Sequence, residues 1–527
     1  MEQPIISDNR RIAKAAFILI LGNIAGFTFS FFKEILVAAK FGVGPEMDAF
    51  YAASSFPNII SGVLLSIFAA VFIPVFIEYE LKEKSAAQQI INIFVSYITV
   101  IMALVIVVLL IFAGSFVRLF FYGLPPEVSA LTVKLLRVFL LMLIFSCFSG
   151  IMIGILNAEK HFAVPAFSGL LVTLFTVAGI FLWQRSLGIF ALAWGVVLGT
   201  LAQALLLAAK ARKSGYVFKP LIITDHPALA QIKHMLMPFA AGIVIAEFNP
   251  MVDKVMSSGL AAGSIAALGY AGKLAQVPMQ IFSNSIAAAA FPFFATQVAE
   301  DKIEKMKYSL ARSIRMAGFI LIPITAALMV LARPLISLLF ERGKFTPQAT
   351  SLTAVVFRMY CLQLFFYAAF LIMSRVVLSL KKIMFLFKLA ILNLVLNVVL
   401  NLVFMRLFDP PVAGIALSTS VVYFTACAIS YFYLKRALGD MSEDYLARGF
   451  LKVGACSLAM GVVVFFVQSF LGGHNYYSGL LDKMIPLFFS ILAGLASFMT
   501  LAYIFKIEEQ KELLALLKAR INFGTKG

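Results

Sequence analysis

The chain has 527 residues, of which 62% are hydrophobic and 13% charged, with 53 phenylalanines and a formal net charge of +18. A soluble globular domain carries roughly twice that charged fraction, so composition alone excludes an ordinary soluble protein. Placement excludes a nucleic-acid protein: the basic residues cluster in alternate loops between apolar runs rather than on one patch, which is the positive-inside pattern of a membrane protein.

Apolar runs long enough to cross a hydrocarbon core of about 30 Å recur along the whole chain. Backbone groups in lipid must bond within their own segment, so these runs are predicted as helices. No alternating ten-residue pattern suggests a β-barrel. In chain order the predicted spans are 15–39, 49–77, 90–113, 131–157, 163–183, 187–209, 233–258, 265–296, 314–340, 350–380, 384–407, 412–434, 449–471 and 484–505. The first follows Arg10, Arg11 and Lys14 but is too long for a signal peptide and is read as a retained helix. The loops with most Lys and Arg then fall on one side, predicting both termini in the cytoplasm. Cys147, Cys361, Cys427 and Cys456 lie within spans and read as small packing residues. His161, His226, His234 and His474 form no ligand motif.

Two halves of the chain align at an offset of about 220 residues. Ser115 to Phe120 pairs with Pro334 to Leu339, Arg137 with Arg358, Lys160 with Lys382, and Thr200 with Thr425. The fold class expected is all-α and membrane-integral, with about fourteen spans as two six-helix lobes in parallel repeat plus two C-terminal helices. The lobes are predicted at 1–212 and 233–440, joined by a linker at 213–232, with spans 13 and 14 and a tail in 441–527. Repeats of this kind suit an alternating-access transporter with its site between the lobes. Span 2 contains Pro57 and Pro74, and span 8 contains Pro278 and Pro292. Proline removes a helix hydrogen bond, so both spans are predicted to be conformationally mobile and to line a cavity. The plain alternative is bending for packing.

Ionisable residues inside a membrane are costly and mark functional candidates. Lys33 and Glu34 fall in span 1, Asp48 opens span 2, Glu247, Asp253 and Lys254 fall in span 7, and Lys273 falls in span 8. Surplus cations in a cavity would attract a phosphate or diphosphate. Lys134, Arg375 and Lys388 sit near span ends and suit snorkelling to the interface. Asn393, Asn397 and Asn401 share one face of span 11. With Asp253 and Thr419, Asn393 and Asn397 could form a sodium site of hard oxygen donors; hydrogen bonding between helices is an equally good reading.

The motif Lys33-Glu34-Ile35-Leu36-Val37-Ala38, with Phe41-Gly42, Met47-Asp48-Ala49-Phe50 and Phe56-Pro57-Asn58, resembles the start of the MurJ/MviN family. So does the segment from Val252-Asp253-Lys254 through Gly263-Ser264-Ile265 to Lys273-Leu274. The resemblance implies a lipid II flippase of the MOP exporter superfamily in the bacterial inner membrane. It implies a cationic cavity between the lobes, a groove for the lipid tail at the last two helices, and no enzymatic chemistry. Lys33, Asp48 and Lys273 match basic, acidic and basic positions of the family, and Lys254 joins them as a candidate substrate contact. Phe27, Ser61 and Ser66 stand where the family has further charges, and lysine replaces arginine at 33 and 273. Other implied associates are membrane lipid, Na+ or H+ as a coupling ion, and the cell-wall synthesis machinery, with a monomeric protein. The alternatives are a flippase for O-antigen or exopolysaccharide units and a cation-coupled drug exporter.

Overall fold

A computed structural model describes residues 22, 25–67, 72–82, 84–159, 161–223, 244, 245, 247–441, 443–472 and 479–512. Among them every regular element is helical. Twelve helices are long and apolar enough to cross a membrane, matching predicted spans 2–6 and 8–14. Spans 1 and 7 lie partly outside the described residues; their described parts are helical at 25–41 and 247–257. His226, His234 and His474 lie outside the described residues.

Residues form two compact units, Met1–Ala266 and Ala267–Gly527. In the first unit, α1 (Pro45–Ile67), α2 (Ile73–Lys82), α3 (Lys84–Phe120), α4 (Pro126–Ala158), α5 (Ala163–Leu187) and α6 (Phe190–Lys213) follow in order. Helix α3 is longer than its predicted span at both ends. Helices α5 and α6 pack backbone to backbone along a seam of small residues. A Cβ on Gly195 would stand 2.7 Å from the Cα of Thr176, and one on Gly199 2.6 Å from the Cα of Val172. Glycine is required because lipid gives no hydrophobic push between helices, and close van der Waals packing must hold them. Below this pair an apolar cluster built on Phe72, Phe76, Phe94 and Ile155 surrounds Tyr216. The Tyr216 hydroxyl lies 2.8 Å from Oε1 of Glu80 and 2.6 Å from Oε1 of Glu159. Burial first, then these two carboxylates, push the phenol well above its ordinary pKa. Tyr216 thereby ties the segment after α6 to α2 and to the end of α4.

The second unit begins within α7 (Ser264–Pro278), which runs through a π-helical turn, Met279–Ser283, into α8 (Asn284–Ala299). Then come α9 (Ile303–Phe340), α10 (Pro347–Cys361), α11 (Gln363–Ser379), α12 (Ile383–Leu407), α13 (Pro411–Leu438), α14 (Glu443–Gly472) and α15 (Leu480–Ile504). Predicted span 10 proves to be two helices separated at Leu362, with no proline at the break. Carbonyls near it find side-chain donors instead. Thr325 donates to the Cys361 carbonyl and Ser420 to that of Met359, while Arg358 of α10 reaches across to the Met329 carbonyl of α9. Broken helices persist in membranes where such partners replace the lost ladder bonds. Helices α14 and α15 pack on α9 through Phe319, Val453, Met460, Val464, Leu487 and Phe498.

Gly195→Ala is expected to lower the thermal unfolding midpoint in detergent by an amount equivalent to about 1–3 kcal/mol of overpacking. Gly454 in α14 has nothing within 4 Å of a built Cβ. Gly454→Ala should therefore be neutral or stabilising by about 0.5–1 kcal/mol. Equal effects of the two changes would contradict the backbone-contact account of the α5–α6 seam.

Candidate functional site

Helix α1 carries the best-defined polar site of the first unit. Asp48 sits in its first turn and is 5% exposed. Its Oδ2 accepts from the Gly263 amide at 2.5 Å and its Oδ1 from the Ala266 amide at 2.7 Å. Amides opening a helix have no partner within it, and a carboxylate there also meets the positive end of the dipole. Asp48 thus acts as a cap supplied by a distant helix. Gly263 has φ of +91°, and a Cβ on it would stand 2.7 Å from Val43, so glycine is needed for the approach. Nearby, Gly123 and Gly259 pass back to back, a Cβ on the former falling 2.3 Å from the Cα of the latter.

Two turns further along α1, Lys254 Nζ donates to Ser55 Oγ at 3.1 Å. Ser55 Oγ in turn donates to the Tyr51 carbonyl at 2.5 Å, and the ammonium stands 6.0 Å from the Tyr51 ring centre. This relay lies beside Pro57, which is buried inside a continuous α1. Asp253 is buried on the same helical segment as Lys254. Glu247 packs against α1, its carboxylate 3.2 Å from where a Cβ on Gly62 would lie. Lys33 pairs with its neighbour Glu34 at 2.9 Å; the lysine is 20% exposed and the glutamate 6%. The lysine side chain therefore keeps partial exposure while its counterion is buried.

The second unit holds Lys273 on α7, part-buried and with polar company. Pro278 precedes the π-helical turn directly, the kind of local unwinding that proline produces. Pro292 is exposed within a continuous α8, and Pro74 lies at the start of the described part of α2. Asn393, Asn397 and Asn401 are all buried on a helix whose Leu392, Val395, Val399 and Leu402 are exposed. The Asn401 amide donates to Asn397 Oδ1 at 3.3 Å. Thr419 lies on the adjoining α13, its hydroxyl directed at the Ile415 carbonyl. These second-unit donors are neutral oxygens, and the carboxylate of the expected sodium set, Asp253, belongs to the first unit. Arg375 stands 5.7 Å over the Phe291 ring, and Lys134 and Lys388 are exposed.

Several contacts were not legible in sequence. The Tyr216 pair of carboxylates and the Ser55 relay join residues more than fifty positions apart, and no local pattern marks them. A buried ion pair between Arg315 and Glu509 belongs to the same class.

With the geometry set out, comparison with known proteins is decisive. The family described as lipid II flippase MurJ matches residues 37–482. The chain belongs to this family. Its members are transporters rather than enzymes. The probable lipid II flippase MurJ of Bdellovibrio bacteriovorus is 26% identical over 510 residues, covering 95% of this chain and 96% of the relative. The lipid II flippase MurJ of Burkholderia cenocepacia is 24% identical over 347 residues, covering 63% of this chain and 67% of the relative. A lipid II flippase MurJ structure in an inward closed conformation superposes with a TM-score of 0.79 at 22% identity, covering 93% and 98% of the two chains. An inward-facing multidrug resistance MATE transporter of the MOP superfamily gives 0.68 at 15% identity, covering 81% and 99%. The fold is therefore of the MOP type, as the sequence resemblance implies.

Asp48→Ala leaves two buried amides without their acceptor and should destabilise the protein by about 1–3 kcal/mol. Asp48→Asn keeps one acceptor oxygen and should cost less. Thermal unfolding of the purified variants orders them; an Asp48→Ala midpoint equal to that of the parent would show that the cap is dispensable.

Proposed function

We propose that the chain carries lipid II from the cytoplasmic to the periplasmic leaflet of the bacterial inner membrane by alternating access. The family match over residues 37–482 supports this reading, and the partly exposed cation at Lys33 is the observation that carries it. A diphosphate headgroup needs cations that it can reach. Lys33 offers one whose present partner, Glu34, is its own neighbour, so an incoming diphosphate can compete for the ammonium. Lys273 is the second expected anion contact, and Lys254 a third. Asp48 is better placed to hold the opening of α7 than to touch an anion. Pro278 and the π-helical turn give α7–α8 a point at which the helix can bend, which a two-state cycle requires of some element. In this reading both termini are cytoplasmic, because the basic loops lie on that side. Transport needs no bond-making: binding, conformational exchange and release suffice. A lysine gives a point charge where arginine would grip two oxygens.

Lys33→Ala and Lys273→Ala should each abolish rescue of cells depleted of their own lipid II flippase. Lys33→Arg and Lys273→Arg should retain it. Membrane levels of each variant, read by immunoblot, must match the parent. Full rescue by both alanine variants would remove these lysines from the substrate path. Failure of the unaltered protein to rescue would point to another polyprenyl-diphosphate-linked saccharide.

A further inference from the structure

A second cationic site lies in the other unit, away from Lys33 in the chain. A cavity of about 440 Å3 opens among Arg315 of α9, Asp444, Arg448 and Lys452 of α14, and Lys506 and Glu508 after α15. That volume is within the range of small-molecule sites. Arg315 forms its floor and is already engaged. It is 8% exposed, pairs through two nitrogens with the buried Glu509, reaches Glu508 at 3.4 Å and stacks on the Tyr445 ring at 3.7 Å. Gly449 keeps the cavity open over it, because a Cβ there would stand 2.7 Å from Arg315 Nε.

The remaining cations are less committed. Arg448 and Lys452 stand one turn apart on α14 and so share a face. Lys452 donates to the Phe505 carbonyl at 3.1 Å. Lys506 follows α15 with φ of +53°, a left-handed position that glycine fills at lower cost. Three cations thus face one uncommitted carboxylate, Asp444. Beside these cations in the chain, Leu451 is 75% exposed and Ile504 62%. Cations beside exposed apolar side chains at the ends of two membrane helices mark the boundary between headgroups and hydrocarbon. Apolar side chains next to the cations favour a lipid phosphate over a free one.

We propose that this cavity binds the phosphodiester of an anionic phospholipid, with Arg448, Lys452 and Lys506 around the phosphate and the acyl chains over Leu451 and Ile504. The bound lipid would lock the 505–512 segment against α9 and α14. None of its residues lies among the proposed headgroup contacts. Because α14 and α15 are also where the family resemblance puts the substrate's lipid tail, the test uses phospholipids and phosphate rather than lipid II, so its failure and that of the transport reading are distinguishable.

Native mass spectrometry of the full chain in detergent tests it, titrating phosphatidylglycerol, phosphatidylcholine and inorganic phosphate separately. The unaltered protein should take up phosphatidylglycerol in preference to phosphatidylcholine. The triple variant R448Q/K452Q/K506Q should lose roughly fivefold in phosphatidylglycerol affinity per cation removed, with its phosphatidylcholine binding unchanged. Undiminished phosphatidylglycerol binding by the triple variant would overturn the proposal. So would equal binding of the two lipids, or complete displacement of phosphatidylglycerol by millimolar phosphate. Should the triple variant not fold, Lys506→Gly relieves the backbone while removing one cation. It should still lose roughly fivefold, and undiminished affinity in it would overturn the proposal too.

Discussion

A hydrocarbon surround leaves each polar group of these helices to find its partner inside the protein, and the local architecture follows from that constraint. Helix α12 shows the sorting of faces this imposes. Its asparagines are buried while its leucines and valines face outward, the reverse of a soluble helix. The split between α10 and α11 survives because Thr325 and Ser420 supply donors to carbonyls beside it. Asp48 is the same rule at a helix N-terminus: buried amides are met by a carboxylate from another helix. At the split and at Asp48 the polar group does two things at once, satisfying backbone and fixing the packing of an element.

The same constraint makes charged residues informative. Where a carboxylate is buried, as at Asp48, it serves the fold. Where an ammonium keeps some exposure, as at Lys33, it remains available to a ligand. The distinction separates residues that sequence reasoning had grouped together. In the proposed reading the lysines are the substrate contacts, while Asp48 holds the opening of α7. The second cationic cavity follows a related logic: its buried arginine is spent on Glu509, and its peripheral cations are not.

Much of the fold was legible in the sequence because lipid imposes a length and an apolarity on each spanning helix. Spans 2–6 and 8–14 emerge from apolar runs, and the motifs around Lys33 and Val252 carried the family. The break at Leu362 was not legible, since no proline or glycine marks it and its support comes from α9 and α13. The ends of α3 extend past the apolar run because a helix continues into the headgroup region, where hydropathy falls. The partners of Tyr216, Lys254 and Arg315 were invisible for a simpler reason. Each lies more than fifty residues away, and only the folded chain brings them together. Glycines were equally silent: Gly195 and Gly454 look alike in sequence, yet one meets a neighbouring backbone and the other open space.

The central claim is that intramembrane lysines hold a diphosphate-linked lipid. Native mass spectrometry of the protein incubated with lipid II addresses it most directly, comparing the unaltered chain with a Lys33→Ala, Lys273→Ala double variant. The account predicts a lipid II adduct on the unaltered chain and its loss from the double variant. An adduct of equal abundance on both would contradict it.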